Sequence, residues 1–75
     1  MEIKIVPIGY LRAPFENEIT VLIVRDGSSI KEVLKGLPIR KDLVLAVVVN
    51  DVTAGMDTVL ADGDIIKLIP VISGG

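Results

Sequence analysis

The chain has 75 residues, no cysteine and no histidine, and carries a formal net charge of -2 with a pI near 4.9. That length is enough for one small domain; the missing thiols exclude disulfides and thiolate metal sites, and the mild acidity argues against nucleic acid as a partner. Hydrophobic residues at 51% and a mean hydropathy of +0.67, beside 24% charged residues, predict a dense, mostly aliphatic core rather than disorder.

Glu2 to Ile8 opens with alternating apolar and charged residues, with Ile3 and Ile5 on one face, and this predicts a first strand. Pro7 has no N–H to give a ladder and should mark that strand's end. Gly9 to Pro14 reads as a connection. Glu18 to Arg25, rich in β-branched residues, predicts a second strand that forms an antiparallel hairpin with the first across a long loop.

Asp26-Gly27-Ser28 breaks the second strand and a helix signal follows. Ser29 and Glu32 have the spacing of a capping box, in which each side chain satisfies a free backbone N–H of the other residue. Ile30, Val33, Leu34 and Leu37 then follow the spacing of one buried helical face, and Gly36 and Pro38 end the helix.

Leu43 to Val49 is a continuous apolar run, as expected for a strand inside a sheet with both faces buried. It falls far short of the roughly 20 residues needed to cross a bilayer. The first residues lack a signal-peptide pattern, so a cytoplasmic protein without membrane contact is expected. Asn50-Asp51 is a turn, and Val52 to Leu60 should hold only short extended pieces. Asp62-Gly63-Asp64 is a strong turn, and Ile65 to Ile72 predicts the last strand, with Lys67 as its only charge. One helix against one mixed sheet of four to five strands gives an α+β domain over residues 1–72. Residues 73–75 offer nothing that can anchor to a core and are expected to form a flexible tail.

Without histidine or cysteine the chain lacks the common general base, the common nucleophile dyads and most transition-metal ligands, so no metal site and no self-sufficient enzyme are expected. Asp62 and Asp64 flank a turn glycine and suit hydrogen bonding to the turn backbone. Ser28 and Ser29 suit a turn and a cap. Residues 51–75 carry Asp51, Asp57, Asp62 and Asp64 against Lys67 alone. This reads either as a solvated, turn-rich end or as an acidic rim that meets a basic partner.

What remains is Gly74-Gly75, separated by Ser73 from the last apolar strand. At a glycine usage of roughly 7%, two terminal glycines arise by chance in about 0.5% of chains, so the pair is a weak signal alone and a stronger one behind that strand. Three extended residues project a carboxylate roughly 10 Å beyond a fold. Glycines, lacking Cβ atoms, can thread a narrow channel on the way to another protein's active site.

The run from Asp62-Gly63-Asp64 through Ile65 to Ile72 and on to Ser73-Gly74-Gly75, with Pro70 near the strand's exit, resembles the ubiquitin-like β-grasp sulfur carriers. These are the small subunit of molybdopterin synthase, MoaD, and the thiamine-pathway carrier ThiS. Val49-Asn50 and Gly9-Tyr10-Leu11-Arg12 are similar to the MoaD branch, as is the long first connection.

The resemblance implies that a ubiquitin-activating-type enzyme, using ATP, adenylates Gly75. Sulfur then displaces AMP, leaving a C-terminal thiocarboxylate that donates sulfur to a large molybdopterin synthase subunit or to a thiazole synthase. Gly74 would be the slim neck, and Pro70, Val71, Ile72 and Ser73 the stem that docks on the partner. No cofactor would be bound by the chain itself. Two other readings stay open: a protein modifier joined through Gly75 to lysines, and a β-grasp interaction module that never uses its tail.

Overall fold

A computed structural model of the chain describes residues 1–72, which form five strands, one α-helix and two short 3-10 turns. The strands are β1 (Glu2–Pro7), β2 (Thr20–Ile23), β3 (Val44–Val49), β4 (Val52–Ala54) and β5 (Ile65–Pro70). The helix α1 spans Ile30–Lys35, and the 3-10 turns span Gly9–Arg12 and Lys41–Leu43. The flexible tail expected for residues 73–75, and with it the roles expected of Ser73, Gly74 and Gly75, lies outside the described residues.

The strands form one mixed sheet in the order β2-β1-β5-β3-β4. The expected hairpin of β1 with β2 is present, with Ile3 opposite Leu22. β5 then inserts between β1 and β3, parallel to β1 with Ile5 opposite Ile66, and antiparallel to β3 with Val47 opposite Leu68. Pro7 is the last residue of β1, as its missing N–H requires, and Ile8 supplies the next donor, bonding to the Leu68 carbonyl at 3.1 Å.

Helix α1 begins as its sequence dictates. The Glu32 N–H donates to Ser29 Oγ at 3.3 Å, and the Ser29 N–H donates to Glu32 Oε1 at 3.3 Å, completing the capping box. Two further free N–H groups of the first turn are taken from a distance. Ile30 donates to the Thr58 carbonyl and Lys31 to the Met56 carbonyl, each at 3.0 Å. The segment between β4 and β5 thus lies along the start of the helix, and it delivers Leu60 into the core.

That core joins Ile30, Val33 and Leu34 of α1 to Ile3, Ile5, Val47, Ile66 and Leu68 of the sheet. Because α1 covers one face only, β3 departs from the expectation that both its faces are buried: Val47 is buried on the helix side, whereas Ala46 and Val48 on the other face are only half-buried. Leu45, the unpaired residue at the register shift between Val44 and Ala46, is 65% exposed. β5 also ends earlier than expected, at Pro70, where a register shift between Val44 and Ala46 interrupts its ladder with β3.

The Asp62-Gly63-Asp64 turn docks on the start of β1. Gly63, at φ +87°, donates to the Glu2 carbonyl at 2.7 Å, and the Lys4 N–H donates to the Asp64 carbonyl at 2.9 Å. Asp62 Oδ1 accepts the Glu2 N–H at 2.6 Å, and Asp64 Oδ2 accepts the Ala61 N–H at 2.8 Å. Both carboxylates therefore serve backbone donors, the role expected from their position.

Candidate functional site

The chain leaves the sheet from β5, its central strand, which is held by β1 on one side and β3 on the other. Pro70, expected to belong to the docking stem, is buried, and its ring packs where the chain turns past Gly9. Val71 lies beyond the strand and is 37% exposed; Ile72 is 80% exposed. Both side chains are exposed, Ile72 far more than Val71.

Val71 is fixed through both of its backbone polar groups. Its N–H donates to the Leu43 carbonyl at 2.9 Å, and its carbonyl accepts the Tyr10 hydroxyl at 2.5 Å. Tyr10 is placed for this by its neighbours. Leu11 is 3% exposed and anchors the 3-10 turn in the core, and the Leu11 N–H closes that turn on the Ile8 carbonyl at 3.2 Å. Gly9 has φ +59°, and a Cβ there would stand 3.3 Å from Pro70 Cγ. Only glycine lets the turn approach β5 this closely without strain.

A shallow, mostly apolar groove of about 470 Å³ opens beside the exit, between the first 3-10 turn and the segment leading into β3. Tyr10 and Leu43 both line it, together with Pro14, Pro38, Ile39 and Arg40. Arg40 is held in a two-point contact with Asp42, Nη2 to Oδ2 at 2.7 Å and Nε to Oδ1 at 3.2 Å. Both side chains are exposed, so this ion pair contributes little to stability.

Of the C-terminal acidic residues, Asp51, Asp62 and Asp64 sit elsewhere. Asp62 and Asp64 precede the first residue of β5, so a whole strand, roughly 20 Å at about 3.3 Å per residue, separates them from the exit. Asp51 lies at that same end and is 3.6 Å from Lys67 Nζ. An acidic rim therefore does not surround the point where the chain leaves the fold. Among the described residues, no three side chains of metal-ligating type converge.

The sequence singled out Pro70, Val71 and Ile72, and the structure brings them to one end of the central strand. It missed Tyr10 as a contact of that segment. The available signal was slight: one of only two aromatics in an aliphatic chain, placed directly after a glycine.

One helix packed on one face of a five-strand mixed sheet in this order, with the chain departing from the central strand, defines a ubiquitin-like β-grasp domain. The family model described as the ThiS family matches residues 13–75, and the chain belongs to that family. Membership makes it a small carrier protein rather than a catalyst in its own right, as the residues implied.

Among solved structures the chain is similar to SAMP1 from Haloferax volcanii, with a TM-score of 0.81 and 18% identity over 100% of both chains. It is also similar to the Haloferax volcanii HVO 2177 protein, with a TM-score of 0.78 and 24% identity over 100% of this chain and 87% of that one. These two likenesses are of fold alone. A third structure is the protein-protein complex of subunits 1 and 2 of molybdopterin-converting factor from Helicobacter pylori 26695. There the TM-score is 0.64 and the identity 28% over 100% of both chains. Comparison with curated proteins finds no match.

Proposed function

We propose that the chain is a sulfur carrier whose terminal Gly75 is activated and loaded by a partner. The observation that carries this reading is the exit of β5: the backbone is held as far as Val71, and the next residue, Ile72, stands 80% exposed. A partner that grips this end meets a fixed stem followed by Ser73 and two glycines, the slimmest backbone available.

In this reading an oxygen of the Gly75 carboxylate attacks the α-phosphorus of ATP on a ubiquitin-activating-type enzyme, and pyrophosphate leaves. Hydrosulfide from the sulfur donor then attacks the acyl-adenylate carbonyl and loses its proton to solvent, and AMP departs with one carboxyl oxygen. The resulting thiocarboxylate is handed to a synthase. The chain needs no bound cofactor, because the nucleotide is the partner's substrate. A protein without cysteine has only its backbone terminus for such a cargo.

Molybdopterin synthesis is favoured over thiamine synthesis as the destination. The 28% identity to the molybdopterin-converting factor chain over its whole length supports this, as does the complex of two subunits in which that chain was solved. A large synthase subunit is then the sulfur acceptor.

The test is intact mass spectrometry after incubation with the source organism's adenylating enzyme, ATP and a sulfur donor. The expected product is heavier by the difference between one sulfur and one oxygen, and deletion of Gly74-Gly75 abolishes it. An unchanged mass with an enzyme shown to be competent sinks the reading. Presenting the loaded chain to a molybdopterin synthase large subunit and to a thiazole synthase separates the two destinations.

A second reading, a ubiquitin-like modifier conjugated through Gly75, uses the same adenylate and the same exposed stem. The exposed Ile72 ahead of Ser73 and two glycines favours it over a tail-independent interaction module, which would share the same fold. Isopeptide remnants on lysines of cellular proteins would reveal it.

A further inference from the structure

We propose that Tyr10 is a positioning residue for the tail: by holding the Val71 carbonyl, it fixes the point and direction from which residues 72–75 extend. This rests on the reading of the tail as the working segment.

The ladder between β5 and β3 ends with Pro70 opposite Val44. The Val71 N–H bond to Leu43 alone would leave the chain free to rotate at Val71 ψ, since nothing in that bond holds the following peptide plane. The Tyr10 hydroxyl takes hold of that plane, bonding the Val71 carbonyl at 2.5 Å. The two contacts come from the two walls of the apolar groove, Tyr10 on one and Leu43 on the other. Any four residues span roughly 13 Å at full extension, so a 30° swing at the base of such a segment displaces its tip by roughly 7 Å. An acyl terminus must reach a partner's nucleotide within far tighter limits than that.

Tyr10 can serve as a fixed post because its own backbone cannot drift. Leu11 is buried beside it, Gly9 is closed against Pro70, and the Ala13 N–H donates to the Tyr10 carbonyl at 3.2 Å. The ring is 49% exposed, so its role is not that of a core side chain. A phenylalanine would line the groove equally well and leave the carbonyl unheld. Losing one exposed neutral hydrogen bond lowers the ratio of held to released states roughly fivefold. Holding the tail in advance lowers the ordering cost when a partner engages it, so the effect falls on binding rather than on the chemical step.

The test is Tyr10→Phe, studied in the full-length chain. ¹⁵N relaxation should show increased fast motion at Ile72, with the amides of Ile5 and Leu68 unchanged. In pyrophosphate exchange with the source organism's ubiquitin-activating-type enzyme, KM for the carrier should rise, by at most roughly fivefold, while kcat is unchanged, the signature of lost pre-organisation. Tyr10→Leu should reproduce the same split. Unchanged relaxation at Ile72 in Tyr10→Phe overturns the proposal, as does a loosened Ile72 with unaltered KM. A wild-type chain inert to a competent activating enzyme overturns the tail reading instead, and the relaxation measurement still decides whether Tyr10 holds the stem.

Discussion

The Asn50 side-chain amide donates to the Asp64 carboxylate at 2.8 Å, and the Asn50 side-chain oxygen accepts the Ile65 N–H at 2.9 Å. One carboxamide thus ties the turn after β3 to the first residue of β5. Asn50 and Asp51 both have left-handed backbone, at φ 49° and 69°, which asparagine and aspartate tolerate better than other side chains. The contact sets the register of the two strands that carry the chain to its exit.

Replacing Asn50 by alanine removes both side-chain bonds and puts into the left-handed region a residue that tolerates it less well than asparagine. Urea unfolding should show a loss of about 2–3 kcal/mol. Asn50→Gly loses the same bonds but accepts the backbone angle, so its loss should be about 1 kcal/mol smaller. Equal losses for the two variants would mean that the φ angle carries none of the effect.

Gly9→Ala should cost about 1–2 kcal/mol, from the left-handed angle and the close Pro70 ring together. Gly55→Ala is the matched control: its backbone is outside the positive-φ region and nothing lies within 4 Å of the added Cβ. Its midpoint should stay within about 0.5 kcal/mol of the parent. Comparable losses at the two glycines would contradict the close approach of the 3-10 turn to β5.

The capping box gives a more local prediction. Ser29→Ala should lower stability by about 1 kcal/mol, whereas Ser29→Asp, which keeps an acceptor for the Glu32 N–H, should recover most of it. Thermal unfolding followed by circular dichroism separates them, since about 1 kcal/mol shifts Tm by roughly 4–8 °C in a domain of this size.

What the sequence disclosed and what it withheld divide by range. The capping box, the apolar face of α1, and the Asn50-Asp51 and Asp62-Gly63-Asp64 turns depend on residues within a few positions, and each sits where its pattern placed it. The parallel pairing of β1 with β5 joins the two ends of the chain and has no local signature. β3 illustrates the same limit: an unbroken apolar run reads as buried on both faces, but Ala46 and Val48 are only half-buried because one helix covers one face, and the register shift that exposes Leu45 has no local signature. The candidate site follows suit. The resemblance names the stem residues but not which of them face solvent, and Pro70 proves buried while Ile72 is exposed. The Tyr10 contact spans a separation of 61 residues and could be found only in three dimensions.

Ile72 and Pro70 should separate function from stability at the exit. Ile72 is 80% exposed and packs against little, so Ile72→Asp should leave Tm within about 2 °C of the parent. If a partner covers that side chain, burial of an isoleucine contributes about 1.5–3 kcal/mol to the complex, so kcat/KM for adenylation should fall roughly ten- to a hundredfold. Pro70 is buried at the end of β5, and Pro70→Ala should lower Tm before it changes the reaction. An Ile72→Asp chain that is adenylated as fast as the parent would confine the partner's grip to Ser73 and the glycines.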